Sequence, residues 1–166
     1  QVVRATDGRK AAGTGSDSDG GNLGHAEAVL HAHDLHGFLH ALKTTMAENE
    51  HLAASDVYGM ARQLNKLFIS SPRTALERSL LHDVLPPMAA LVNQTLTTLK
   101  GRPRDAVRTA IALGELPSCP PGAVVEVSEA VRGQLGLVPG PDLAQLAVVL
   151  AQLSVRPGNA FLGAFM

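Results

Sequence analysis

From His25 onward, Leu, Ala, Val and Met recur at steps of three and four in seven consecutive stretches, and Pro, Gly or Ser stands between most of them. That spacing places the apolar side chains along one stripe of a helix and leaves the opposite face polar. The stripes run through Leu35, Phe38, Leu39, Leu42 and Met46, then through Val57, Met60, Ala61, Leu64, Leu67 and Phe68 with Ser55 as N-cap. The third opens on Pro72, suited to the first helical position, and carries Leu76, Leu80, Leu81 and Val84. Pro86 and Pro87 follow and predict a break or sharp kink. A fourth runs from Met88 to Leu99 and closes on Lys100 and Gly101; a fifth begins at Pro103, with Ala106, Ala110, Leu113 and Leu116 inward. Val124 to Val127 would also suit a strand, yet the spacing continues through Val131 and Leu135 and so predicts a helix. Pro141 opens the seventh, with Leu143, Leu146, Ala147, Leu150 and Leu153, and a last fragment begins at Pro157.

Each stripe must be buried against another, and connections this short make sequential helices neighbours. The expected fold class is therefore all-α, with antiparallel helical hairpins stacked as a short α-solenoid. Only 3% of the 166 residues are aromatic although 45% are apolar, so the core is filled by small aliphatic side chains that favour close helix packing. Residues 1–24 are rich in Gly, Ser, Asp and Thr and hold few apolar groups to order them; they are expected to form a flexible arm before a helical-repeat domain at 25–166. The chain opens on Gln1 and its last segment reads as an uncapped helix, so a processed or truncated chain is expected.

Fixed-period self-similarity supports the stacking. Aligned on Asp34, Asp56, Asp105 and Asp142, the next residue is Leu35, Val57, Ala106 or Leu143, and five beyond the acid stands Leu39, Ala61, Ala110 or Ala147. Eight beyond, all four windows carry leucine, and eleven beyond, three do. An acid in the first turn offsets the positive end of the helix dipole, and the other positions trace one packing face. The intervals between the acids are 22, 49 and 37 residues, of which the last suits two helices and two turns.

No apolar run approaches the roughly 20 residues needed to cross a bilayer, so no membrane is expected as a partner. A single cysteine, Cys119, excludes an internal disulfide and a thiolate metal cluster, and it reads as a packing residue. His33, His36 and His40 share overlapping faces of one helix, but Gly37, Phe38 and Leu39 stand where a metalloprotease motif would carry its acid, so no metal is expected. The glycine-rich stretches are not placed between strand and helix as a phosphate cradle requires, and no nucleophile elbow is present. The chain is thus expected to be no enzyme, and to need no cofactor and no small-molecule substrate.

The net charge is −1, yet residues 57–108 hold eight basic against three acidic residues. Lys100, Arg102, Arg104 and Arg108 cluster beside a predicted helix N-terminus, where cations and backbone N–H groups converge on a phosphate. Arg62, Lys66 and Arg73, with Arg78, extend that surface if their helices pack beside it.

The segment PDLAQLAVVLAQLSVRP, Pro141 to Pro157, resembles the first helix of octotricopeptide, heptatricopeptide and FAST-kinase-like repeats through Asp142, Leu143, Ala147, Leu150, Leu153, Arg156 and Pro157. Pro103 to Leu116 matches through Asp105, Ala110, Leu113 and Leu116, and the likeness is best over residues 103–166. It departs from those repeats at Val148, where an aromatic is common, and in its uneven intervals. The resemblance implies an α-solenoid that contacts RNA in a mitochondrion, or a plastid as the alternative, including pieces of organellar ribosomes. The expected partners are RNA, ribosomal RNA foremost, and the neighbouring proteins of a large complex. The alternative is a scaffold subunit that bridges proteins without touching RNA, which the near-neutral charge and scarce aromatics favour.

Overall fold

A computed structural model describes residues 24–48, 51–71, 74–155 and 158–165, and all of its regular elements are helices. They are α1 (His25–Leu30), α2 (Leu35–Ala47), α3 (Ala54–Ser70), α4 (Ala75–Gln94), α5 (Leu96–Lys100), α6 (Pro103–Gly114), α7 (Pro121–Ala130), a 3-10 segment (Arg132–Leu137), α8 (Gly140–Gln152) and α9 (Asn159–Phe165). The region around Val124 is helical, as its spacing predicts, but α7 ends at Ala130 and tightens into the 3-10 segment. Except for Gly24, the expected arm lies outside the described residues.

Several local expectations are corrected. Ser55 does not cap α3: the chain turns at Ala53, whose N–H donates to Asp56 Oδ2 at 3.0 Å. Pro72 lies outside the described residues, and α4 opens on Thr74, whose hydroxyl accepts from the Glu77 N–H while Glu77 reaches back to the Thr74 N–H at 3.2 Å. This reciprocal cap satisfies two otherwise orphaned donors. Pro86 and Pro87 do not end the helix; both lie inside α4. The carbonyls they leave without intrahelical donors belong to His82 and Asp83, both exposed residues. The helix breaks instead at Thr95, whose hydroxyl donates to the carbonyls of Leu91 and Val92 at 2.9 and 3.1 Å.

Two rows of helices result. In one, α1 lies against α3, α3 against α6 and α6 against α8. In the other, α2 lies against α4, α4 and α5 against α7, and α9 against the 3-10 segment. Contacts within the first row fix its direction. Leu30 faces Gly59 and the Gln63 amide donates to the Ala32 carbonyl at 2.7 Å; Tyr58 meets Arg108 while Asn65 reaches Ala112; Asp142 meets Arg108 while Val149 faces Gly114. Residue numbers rise together across every interface, so successive helices of this row run parallel, with the second row returning the chain.

The alignment on aspartate now has a structural meaning. Asp56, Asp105 and Asp142 each stand in the first turn of a first-row helix. Asp34 does not: it is the N-cap of α2, accepting from the Gly37 N–H at 2.7 Å, and α2 belongs to the other row. The 22-residue interval from Asp34 to Asp56 therefore joins helices of different rows, and the 49-residue interval from Asp56 to Asp105 holds α4 and α5. The core is aliphatic, with Leu42, Leu64, Leu113 and Leu150, the aligned leucines, all buried. Its buried polar side chains, Thr45, Thr109 and Ser128, each donate to a carbonyl one turn back, so burial leaves none of these hydroxyls unmatched.

The close approach of α6 and α8 rests on Gly114, where a Cβ would lie 2.1 Å from Val149 Cγ1. Val149 is fully buried and β-branched, so it cannot swing aside. Gly114→Ala is therefore expected to cost about 1–3 kcal/mol of stability from overpacking. At Gly59 a Cβ would meet only the tip of Leu30, at 2.7 Å from Cδ2, so Gly59→Ala is expected to be neutral or to gain up to about 1 kcal/mol of helix propensity. Urea unfolding of both variants checks the contrast.

Candidate functional site

A shallow groove of about 690 Å³ runs across the outer face of α3, α6 and α8. The α3 wall presents Tyr58, Arg62, Lys66 and Ile69, the floor Arg108, Ile111 and Glu115 of the α6 strip, and the far wall Asp142 and Gln145. Helical spacing explains the composition: Tyr58, Arg62, Lys66 and Ile69 fall at steps of three and four, on the side opposite the buried Leu64 and Met60.

Two carboxylates organise this surface. Asp142 Oδ2 accepts from Arg108 Nε at 3.1 Å and lies 3.5 Å from Arg104 Nε, tying the start of α8 to α6. Glu115 accepts from Asn65 Nδ2 at 2.9 Å through one oxygen and from Gln145 Nε2 at 3.0 Å through the other, so one side chain bridges three parallel helices. The Arg108 guanidinium also sits 5.9 Å from the centroid of the half-buried Tyr58 ring, within cation–π range. These partly exposed pairs contribute up to about 1 kcal/mol each, and their main effect is on where charge remains available.

The cations read from the sequence therefore separate into groups. Arg104 and Arg108 share one aspartate, and Arg102 lies 4.0 Å from Asp105 of its own helix. Arg62, Lys66 and Lys100 are exposed, and none of them has an ion-pair partner among the described residues. Arg62 and Lys66 share the groove with Arg108, whereas Lys100 and Arg102 stand apart at the α5–α6 junction. Arg73 lies outside the described residues. Sequence reasoning missed Glu115, Asn65 and Gln145. Their signal is the register itself: Gln145 stands three beyond Asp142 where Arg108 stands three beyond Asp105, so the two positions share one face of adjoining helices.

His33, His36 and His40 are exposed on and before α2, and among the described residues no group of three or more His, Cys, Asp or Glu is gathered to hold a metal. Among the described residues no helix is long and apolar enough to cross a membrane. Cys119 is buried after α6, its Sγ 3.7 Å from the Pro120 carbonyl, and burial pushes its thiol from 9.0 up to about 11.

A folded-state value above the unfolded one means that the neutral thiol stabilises the native state below about pH 9 and that this contribution is lost as the pH climbs towards about 11. At pH 8 the native thiolate fraction falls by about two orders of magnitude relative to a free cysteine. Iodoacetamide should therefore label the native chain at least about 100-fold more slowly than the urea-unfolded chain, measured by mass spectrometry. No protein-family model, curated protein or solved structure matches this chain.

Proposed function

We propose that the chain is a non-catalytic helical-repeat protein, its hairpins stacked as a short α-solenoid, which binds single-stranded RNA along the groove of α3, α6 and α8. The observation that carries this reading is the α3 wall: Arg62 and Lys66, one turn apart, exposed and without anionic partners among the described residues, beside a tyrosine ring. Unpaired cations aligned along a groove follow a phosphate backbone, and an aromatic face with side-chain amides suits unstacked bases. The parallel first row supports the solenoid, since a repeating hairpin returns each first helix in the same direction. The likeness of Pro141 to Pro157 to organellar repeats extends the proposal to a mitochondrion, or a plastid, and to a ribonucleoprotein such as its ribosome.

One observation favours the scaffold reading instead. Asp142 and Glu115 lie among the groove cations, and Ile69 is 77% exposed at its edge, a mixture that suits a protein segment. The two readings differ in how binding responds to charge.

With a labelled single-stranded RNA of mixed sequence, Arg62→Glu with Lys66→Glu is expected to weaken binding by about tenfold or more. The slope of log affinity against log salt should flatten by about 1.4, the amount for two single-strand phosphate contacts. Asp142→Asn frees Arg104 and Arg108 and is expected to tighten binding, while Arg104→Gln alone changes it little because that charge is already offset. Fluorescence anisotropy across a salt series measures all three. RNA affinity indifferent to Arg62, Lys66 and Asp142 would discard the RNA reading, and protein partners retained after nuclease treatment would then support the scaffold.

A further inference from the structure

Arg78, grouped by the sequence with the cations of the groove, does not line it. It lines a second cavity, of about 640 Å³, where the end of α3, the first turns of α4, the α6–α7 connection and the end of α8 come together. That volume falls within the roughly 300–1,000 Å³ of sites for small organic molecules.

The chain turns after α6 at Ser118, whose φ of 63° lies in the left-handed region, and the space beside this turn is faced by Phe68, Leu81, Leu116 and Leu153. Leu81 and Leu116 are buried, and Phe68 and Leu153 are half-buried, so the apolar lining is one aromatic ring and three leucines. Charge comes from one helix. Arg78 and His82 stand four residues apart on α4 and hence on one face; both are exposed, and neither has an ion-pair partner among the described residues. The carboxylate in the lining, Glu115, does not neutralise them, because its two oxygens accept from Asn65 and Gln145. An apolar wall thus adjoins a cationic rim whose charge is not offset within the fold.

We propose that this cavity binds a small carboxylic acid with an apolar body, the carboxylate on Arg78 with His82 beside it and the body against Phe68 and the three leucines. The guanidinium stays charged at every physiological pH, and its planar fork matches the two oxygens of a carboxylate. Water leaving the leucine and phenylalanine surface favours an apolar body over a fully polar anion. The molecule is held and not transformed, in keeping with a non-catalytic chain. Neither Arg62 nor Lys66 lines the cavity, so failure of the RNA reading leaves this one intact, and the reverse.

The probe is octanoate, with octanol as its uncharged counterpart, each titrated into the full chain by calorimetry. Octanoate is expected to bind saturably, one to one, and octanol about tenfold or more weakly, the difference made by a charged hydrogen bond. Arg78→Gln should weaken octanoate by about tenfold and leave octanol unchanged. Gln152→Trp replaces an exposed residue of the lining with a bulk that occupies the cavity, and should abolish binding of both while thermal melting shows the fold intact. Arg62→Glu with Lys66→Glu should alter neither. Absence of saturable octanoate binding overturns the proposal, as does equal binding of acid and alcohol. So does octanoate binding undiminished in Arg78→Gln or Gln152→Trp, or lost in the groove variant, which would put the anion in the groove.

Discussion

The approach of Val149 to the bare backbone at Gly114 sets the distance between α6 and α8, and with it almost everything that lies on their outer surface. Helices that meet through small residues bring their flanking positions within hydrogen-bond reach, so Glu115 spans to Gln145 on one side and Asn65 on the other. The same closeness lets Asp142 collect two arginines from the preceding helix. Ala61 and Ala110, each five residues beyond the first-turn aspartate of its helix, are fully buried. The polar bridges follow from the packing; individually weak, they would not hold the helices together without it.

The helical class and most of the core were legible because a 3.6-residue stripe survives any arrangement of neighbours. The aligned positions of Asp56, Asp105 and Asp142 were legible for the same reason, and each lies in the first turn of its helix. What the sequence could not separate was Asp34, because an acid as N-cap and an acid two or three residues into a helix serve the same dipole. The Pro86–Pro87 pair does not break α4, because proline's cost depends on the surroundings of the carbonyls it frees, and the exposure of His82 and Asp83 is a property of the fold. Thr95, an unremarkable residue in the pattern, makes the break through a local hydroxyl bond.

The candidate site was half legible. Counting cations placed Arg104 and Arg108 at its centre, yet an acid 34 residues beyond Arg108 offsets both. No local reading finds that partner, because the pairing requires α6 and α8 to lie side by side and in register. Arg62 and Lys66 on α3 have no ion-pair partner among the described residues, whereas Arg104 and Arg108 share Asp142. Where positive charge stays available is thus set by topology acting on composition.

The cations that line the groove stand on α3 and α6. Gln145, Val148 and Gln152 on α8 hold the positions that Arg108, Ile111 and Glu115 hold on α6, where they form the groove floor. Neither glutamine carries charge, so these positions of α8 add none to the surface. Positive charge along the groove is therefore concentrated towards Arg62 and Lys66 on α3, while on the α8 side Asp142 offsets the arginines of α6.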